Sequence, residues 1–132
     1  MVKSKILIVD DDQDLTKAMK IALESEQFTV LSAANRTEGM EKIRNDNPDL
    51  IILDVMMHSW SDGFEMSREL KQNPRFKDIP ILILTAVKEK SGINFKSTAG
   101  DPDWLPVDGF LNKPAEPQVL IAEVKRLLSE NT

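Results

Sequence analysis

The sequence predicts an α/β protein, a doubly wound five-stranded parallel sheet with helices on both faces. Three observations predict it. Short unbroken apolar runs, such as Ile6-Leu7-Ile8-Val9 and Leu50-Ile51-Ile52-Leu53, have the pattern of strands buried on both sides. Between these runs lie longer stretches whose apolar residues recur at helical spacing. The two kinds of segment alternate along the chain, and right-handed crossovers then wind it into one sheet. The 132 residues match one ordinary domain, enough to bury a core without staples, so a single domain over residues 1–132 is expected.

Each element follows from local chemistry. Lys5 to Val9 is a buried strand that runs into Asp10-Asp11-Asp12. Leu15, Ala18, Met19, Ala22 and Leu23 make the stripe of the next helix, with Asp14 in its first turn where a carboxylate suits the helix dipole. Phe28 to Ala33 reads as the second strand. Asn35 with Glu38 three residues on resembles a capping box and opens a helix through Met40 and Ile43, which Asn47-Pro48 stops. Leu50 to Asp54 is the central strand. Asp62-Gly63 closes the loop after it, and a helix through Phe64, Met66 and Leu70 runs to Asn73-Pro74. Ile79 to Leu84 is a fourth strand with Pro80 at its entry, where a missing donor is tolerated, and it ends at Thr85-Ala86. Val87 to Pro106 is irregular, with one short helix and a loop. Val107 to Leu111 is a short fifth strand. The last helix starts near Pro117 and carries Leu120, Ile121, Val124, Leu127 and Leu128 on one stripe.

Composition excludes several chemistries. There is no cysteine, which removes disulfides, thiolate catalysis and Cys-based zinc sites. His58 is the single histidine, so no multi-His metal site can form. No apolar run approaches the ~20 residues of a membrane span, and the N-terminus lacks a signal-peptide layout, so a cytoplasmic, soluble protein is the default. The net charge of −5 argues against this chain itself gripping nucleic acid.

The chemistry gathers at strand ends. The first strand ends at Asp10, Asp11 and Asp12, the third at Asp54, the fourth at Thr85 and the fifth at Lys113. In a doubly wound sheet these ends share one edge, where ligands bind. Singly, each has a bland reading: an Asp after a strand is most often a helix cap or turn residue, Thr85 a strand terminus, Lys113 a surface lysine. Their coincidence at four parallel-strand ends argues otherwise. Carboxylates brought together call for a hard divalent cation, and Mg²⁺ takes oxygen ligands while leaving positions for water or phosphate. An attacking carboxylate, a metal, a lysine and a hydroxyl suit phosphoryl transfer.

Taken together, Ile6-Leu7-Ile8-Val9-Asp10-Asp11-Asp12, Leu53-Asp54-Val55-Met56-Met57, Asp62-Gly63-Phe64-Glu65, Leu84-Thr85-Ala86 and Phe110-Leu111-Asn112-Lys113-Pro114 resemble a response regulator receiver domain of bacterial two-component signalling, across the whole chain. The resemblance implies the flavodoxin-like receiver fold and, with no output domain in this chain, a stand-alone type. It implies that Asp54 accepts a phosphoryl group from a sensor histidine kinase or histidine phosphotransfer protein. Mg²⁺ would be held by Asp11, Asp54 and the backbone carbonyl of Met56, with Asp10 acting through water. Thr85 and Lys113 would bind phosphoryl oxygens, Thr85 and Phe110 would form the switch, and Lys113-Pro114 would be the family's cis peptide. The output would pass to a downstream protein target or onward to another histidine. No enzymatic activity beyond self-catalysed phosphorylation and autodephosphorylation is expected.

Two stretches depart from the family. His58 stands where a proline is usual, in a loop about one residue long for the family, His58-Ser59-Trp60-Ser61. Gly92 to Pro106, with Phe95, Trp104 and Leu105, is several residues longer than usual; Trp104 and Leu105 either tuck back over the core or form an altered partner surface, and the first is expected because a lone Trp among apolar neighbours is usually packed. Met56 and Val87, apolar at positions that tune phosphoryl lifetime in the family, cannot orient a water, and no fast self-hydrolysis is expected. Three rivals stand beside this reading. An aspartyl-phosphate phosphatase or phosphotransferase would need a second acid just past Asp54, where Val55 and Met56 stand. A flavodoxin-like cofactor carrier would need a phosphate loop where Asp10-Asp11-Asp12 would repel phosphate. A phosphorylation-independent receiver-like scaffold would not require the complete set.

Overall fold

A computed structural model describes residues 4–54, 60–85, 108–112 and 116–130, with backbone alone at 60–64, 85, 110, 112 and 130. In chain order it contains β1 (Lys5–Val9), α1 (Gln13–Ser25), β2 (Thr29–Ala33), α2 (Arg36–Asp46), β3 (Leu50–Asp54), α3 (Trp60–Gln72), β4 (Ile81–Thr85), β5 (Gly109–Asn112) and α4 (Pro117–Glu130). The five strands form one parallel sheet in the order β2-β1-β3-β4-β5, as the alternation of elements predicts. The chain leaves β1 for β2 on one side and returns to β3 on the other, so the topological switch point lies between β1 and β3.

Two cores lie on the two faces of the sheet. Leu7, Val9, Ile51, Leu53, Ile81 and Ile83 pack with Met40 and Ile43 of α2 and with Met66 and Leu70 of α3. Their neighbours in the strands, Ile6, Ile8, Leu50, Ile52, Leu82 and Leu84, pack with Met19 and Leu23 of α1 and with Leu120, Val124 and Leu127 of α4. Period-2 alternation sends successive residues to opposite cores, which is why the strands read as unbroken apolar runs. Each such Leu or Ile contributes roughly 1.5–3 kcal/mol by leaving water.

Helix ends follow their sequence signals. The Asn35 side chain accepts from the Glu38 N–H at 2.8 Å, the cap expected from the spacing. Asn47 ends α2 in the left-handed region (φ 48°), its N–H returning to the Ile43 carbonyl.

Several boundaries differ from the sequence reading. The Phe28 N–H donates back to the Leu23 carbonyl and Gln27 has φ 70°, so Phe28 belongs to the exit of α1 and β2 begins at Thr29. The Ile79 N–H donates to Phe76 within a turn and Pro80 has no N–H, so β4 begins at Ile81, whose N–H donates to Asp108 Oδ2 at 2.9 Å. β5 extends one residue further than expected, to Asn112, which pairs with Thr85. α3 opens at Trp60, ahead of the Asp62-Gly63 pair. That pair reads as a turn, yet one helical Gly costs only about 1 kcal/mol and an Asp in the first turn suits the helix dipole.

At the sheet edge away from the switch point, Lys71 of α3 donates to the carbonyls of Lys77 and Ile79 and to Asp108 Oδ2, at 3.2, 3.0 and 2.7 Å. The segments before β4 and β5 are thereby fastened to one ammonium.

Candidate metal and phosphoacceptor centre

The switch point is acidic. Asp54 is the last residue of β3, pairs with Leu84 on β4, and is only 2% exposed. Asp10 follows β1; its N–H donates to the Ala33 carbonyl at 3.0 Å, and it too is 2% exposed. Asp11 is exposed. One carboxylate oxygen from each of Asp10, Asp11 and Asp54 lies within 4.8 Å of the others. The register of β1 on β3, Val9 beside Leu53, brings the two strand tips level and so sets Asp10 next to Asp54.

Two buried carboxylates and an exposed third cost free energy through desolvation and like-charge repulsion unless a cation joins them. The donor set is all oxygen, which fits a hard divalent ion such as Mg²⁺. The exposed Asp11 leaves one side open to water or to a phosphate oxygen.

The three consecutive acids after β1 divide their work. Asp12 is the cap of α1: its side chain accepts from the Leu15 N–H at 3.0 Å, and its carbonyl accepts from the Thr16 N–H and hydroxyl. The bland reading of an Asp after a strand therefore holds for Asp12, while Asp10 and Asp11 join Asp54. The Asp12 N–H also donates to Asp10 Oδ1 at 2.9 Å. Nothing in the spacing of three like residues distinguishes cap from cluster member; the Leu15 and Thr16 bonds do.

The other expected site residues are placed in part. Thr85 closes β4, one residue past the partner of Asp54, and its side chain lies outside the described residues. Phe110 lies in β5 beside Ile83, again described by backbone alone. Lys113 follows the last residue of β5 and, with Pro114, Met56, His58, Ser59, Val87 and the Gly92 to Pro106 stretch, lies outside the described residues. Among the described residues, no helix is long and apolar enough to cross a membrane.

Sequence reasoning passed over Arg36. Its guanidinium donates to Glu65 at 2.9 Å and Glu69 at 2.7 Å, tying the start of α2 to α3. The hydrogen bond to Glu69 first holds Arg36 above the ordinary arginine value; partial burial opposes it, and attraction to Glu69 and the hydrogen bond and attraction to Glu65 add to it. Two glutamates four residues apart on α3 were the visible signal, since that spacing puts them on one helix face.

Comparison with known proteins agrees with this geometry. The family model for the response regulator receiver domain matches residues 6–125. The alkaline phosphatase synthesis transcriptional regulatory protein PhoP of Bacillus subtilis is 34% identical over 127 residues, which are 96% of this chain and 49% of PhoP. The response regulator MprA of Mycobacterium ulcerans is 36% identical over 124 residues, 94% of this chain and 50% of MprA. This chain thus spans about half the length of the curated relatives it matches. The crystal structure of the signal receiver domain of a signal transduction histidine kinase from Syntrophus aciditrophicus superposes with a TM-score of 0.81 at 32% identity, covering 96% of this chain and 91% of that one. With the doubly wound sheet, the acidic switch point and a family match over nearly the whole sequence, the chain belongs to the response regulator receiver domain family.

Proposed function

We propose that residues 1–132 act as one phosphoacceptor domain, a phosphorylation-dependent switch of a two-component system, with Asp54 as the acceptor. The observation that carries this reading is the meeting of Asp10, Asp11 and Asp54 at the switch point of a receiver fold. The donor is a phosphohistidine on a sensor kinase or a histidine phosphotransfer protein. An Asp54 carboxylate oxygen attacks phosphorus, the phosphorus–nitrogen bond breaks, and the imidazole leaves with the electron pair. Mg²⁺, when held by Asp11, Asp54 and the Met56 carbonyl with Asp10 alongside, supplies positive charge to the phosphoryl oxygens. Thr85 contributes a hydroxyl donor and Lys113 an ammonium to the same oxygens.

Phosphorylation replaces the single carboxylate charge at a buried strand tip by the roughly two charges of an acyl phosphate, a net gain of about one. That charge biases a two-state element in which Thr85 and Phe110 move together, and a downstream protein reads the new surface. The chain works in this reading as an acceptor in the cytoplasm rather than as an enzyme on other substrates.

The test is incubation with Mg²⁺ and acetyl phosphate, followed by intact mass measurement. The wild type is expected to gain one phosphoryl group, and Asp54→Asn none. A wild type that takes up no phosphoryl group overturns the reading.

A further inference from the structure

The structure assigns Asp12 as a positioning residue for the acidic centre, acting through Asp10. This inference rests on the phosphoacceptor reading above. Three hydrogen bonds that involve a side chain converge on Asp12. Its carboxylate accepts from the Leu15 N–H at 3.0 Å, its carbonyl accepts from the Thr16 hydroxyl at 2.9 Å, and its N–H donates to Asp10 Oδ1 at 2.9 Å. The first two fix Asp12 in the extended backbone of a helix cap, φ −83° and ψ 99°. That conformation aims its N–H back along the chain at Asp10. Thr16 is itself 8% exposed, so the carbonyl bond is sheltered from water.

One oxygen of a buried carboxylate is therefore held by the first turn of α1, and the rotation of Asp10 is coupled to whether that turn is intact. Groups that orient a metal-binding carboxylate through a hydrogen bond tune affinity although they never touch the ion. Asp12 does this with its backbone, and its side chain serves to keep the backbone in place. Capping ability, rather than negative charge, is what this position needs. Asn and Ser satisfy it, and Ala does not.

The experiment measures Mg²⁺ affinity of the folded protein by isothermal titration calorimetry, for wild type, Asp12→Ala, Asp12→Asn and Asp12→Ser, together with each unfolding midpoint. The dissociation constant of Asp12→Ala is expected to rise about tenfold, the low end of outer-shell losses. Asp12→Asn and Asp12→Ser are expected to keep wild-type affinity. Phosphorylation of the alanine variant by acetyl phosphate should be slow at low Mg²⁺ and recover when Mg²⁺ saturates. If Asp12→Ala does not fold, Thr16→Val replaces it, removing the hydroxyl bond to the Asp12 carbonyl while leaving the cap side chain in place, and the same rise in dissociation constant is expected. A lowered unfolding midpoint with unchanged Mg²⁺ affinity overturns the inference, as does an Asn variant as weak as the Ala variant. A wild type that binds no Mg²⁺ overturns both this inference and the phosphoacceptor reading, whereas the variant outcomes overturn only the former.

Discussion

Neutralising Asp54 should make the metal-free protein more stable. Asp10 and Asp54 are each 2% exposed, and their nearest oxygens, with one of Asp11, lie within 4.8 Å of one another. At that separation two unit charges repel by about 3.5 kcal/mol in an effective dielectric of about 20. Asp11 is exposed, so its repulsion of Asp54 is screened and that of Asp10 is the larger of the two. After side-chain relaxation and residual solvent are allowed for, Asp54→Asn is expected to gain about 2 kcal/mol without metal. In a domain of this size that raises the thermal midpoint by about 8 °C. Mg²⁺ should reverse the order. At about a hundredfold excess over its dissociation constant it adds about 2.7 kcal/mol to the wild type and much less to the variant. Circular dichroism melts in chelator and in saturating Mg²⁺ test both halves. The reasoning is refuted if Asp54→Asn melts at or below wild type in chelator, or if Mg²⁺ stabilises both proteins equally.

Other substitutions test other parts of the fold. Gly39→Ala would bring its Cβ to 3.0 Å from the Met66 methyl and to 3.1 and 3.2 Å from the two methyls of buried Val9. The overpacking should outweigh the helix gain and cost about 1 kcal/mol in urea unfolding. Lys71→Met removes the donor shared by Lys77, Ile79 and Asp108, and a loss of about 1–3 kcal/mol is expected; Asp108→Asn, which keeps an acceptor for the Ile81 N–H, should lose less. Arg36→Met breaks two half-exposed pairs and should cost under about 1 kcal/mol, less at high salt, by the same denaturation assay. Ile52→Ala should cost about 2–5 kcal/mol, because Ile52 is fully buried on the central strand.

Much of this was legible in the residues. The apolar runs at Ile6 to Val9 and Leu50 to Leu53 could only be buried on both faces, and the sheet they imply is the one observed. That Asp10 and Asp54 would be neighbours was legible because each ends such a run, and a parallel sheet brings those ends together. The division of labour among Asp10, Asp11 and Asp12 was not legible, since three identical side chains in a row carry no signal for which one turns toward Leu15. The start of α3 was misread because Asp62-Gly63 favours a turn locally, whereas the continued helix sets the outcome. Arg36 and Lys71 were overlooked because their carboxylate partners lie 29 to 37 residues away in sequence.

The alternation of the sheet between two cores has a consequence for how such a chain can change in length. Leu50 and Ile52 face α1 and α4 while Ile51 and Leu53 face α2 and α3, and Asp54 continues the first series. One residue inserted within β3 would invert that parity, carrying Asp54 to the opposite side of the sheet from Asp10 and exchanging the two cores' side chains. The strand interiors can drift by substitution but not by insertion, and any growth must fall beyond the strand tips. The acidic centre is in this sense counted out along the backbone as well as built from side chains.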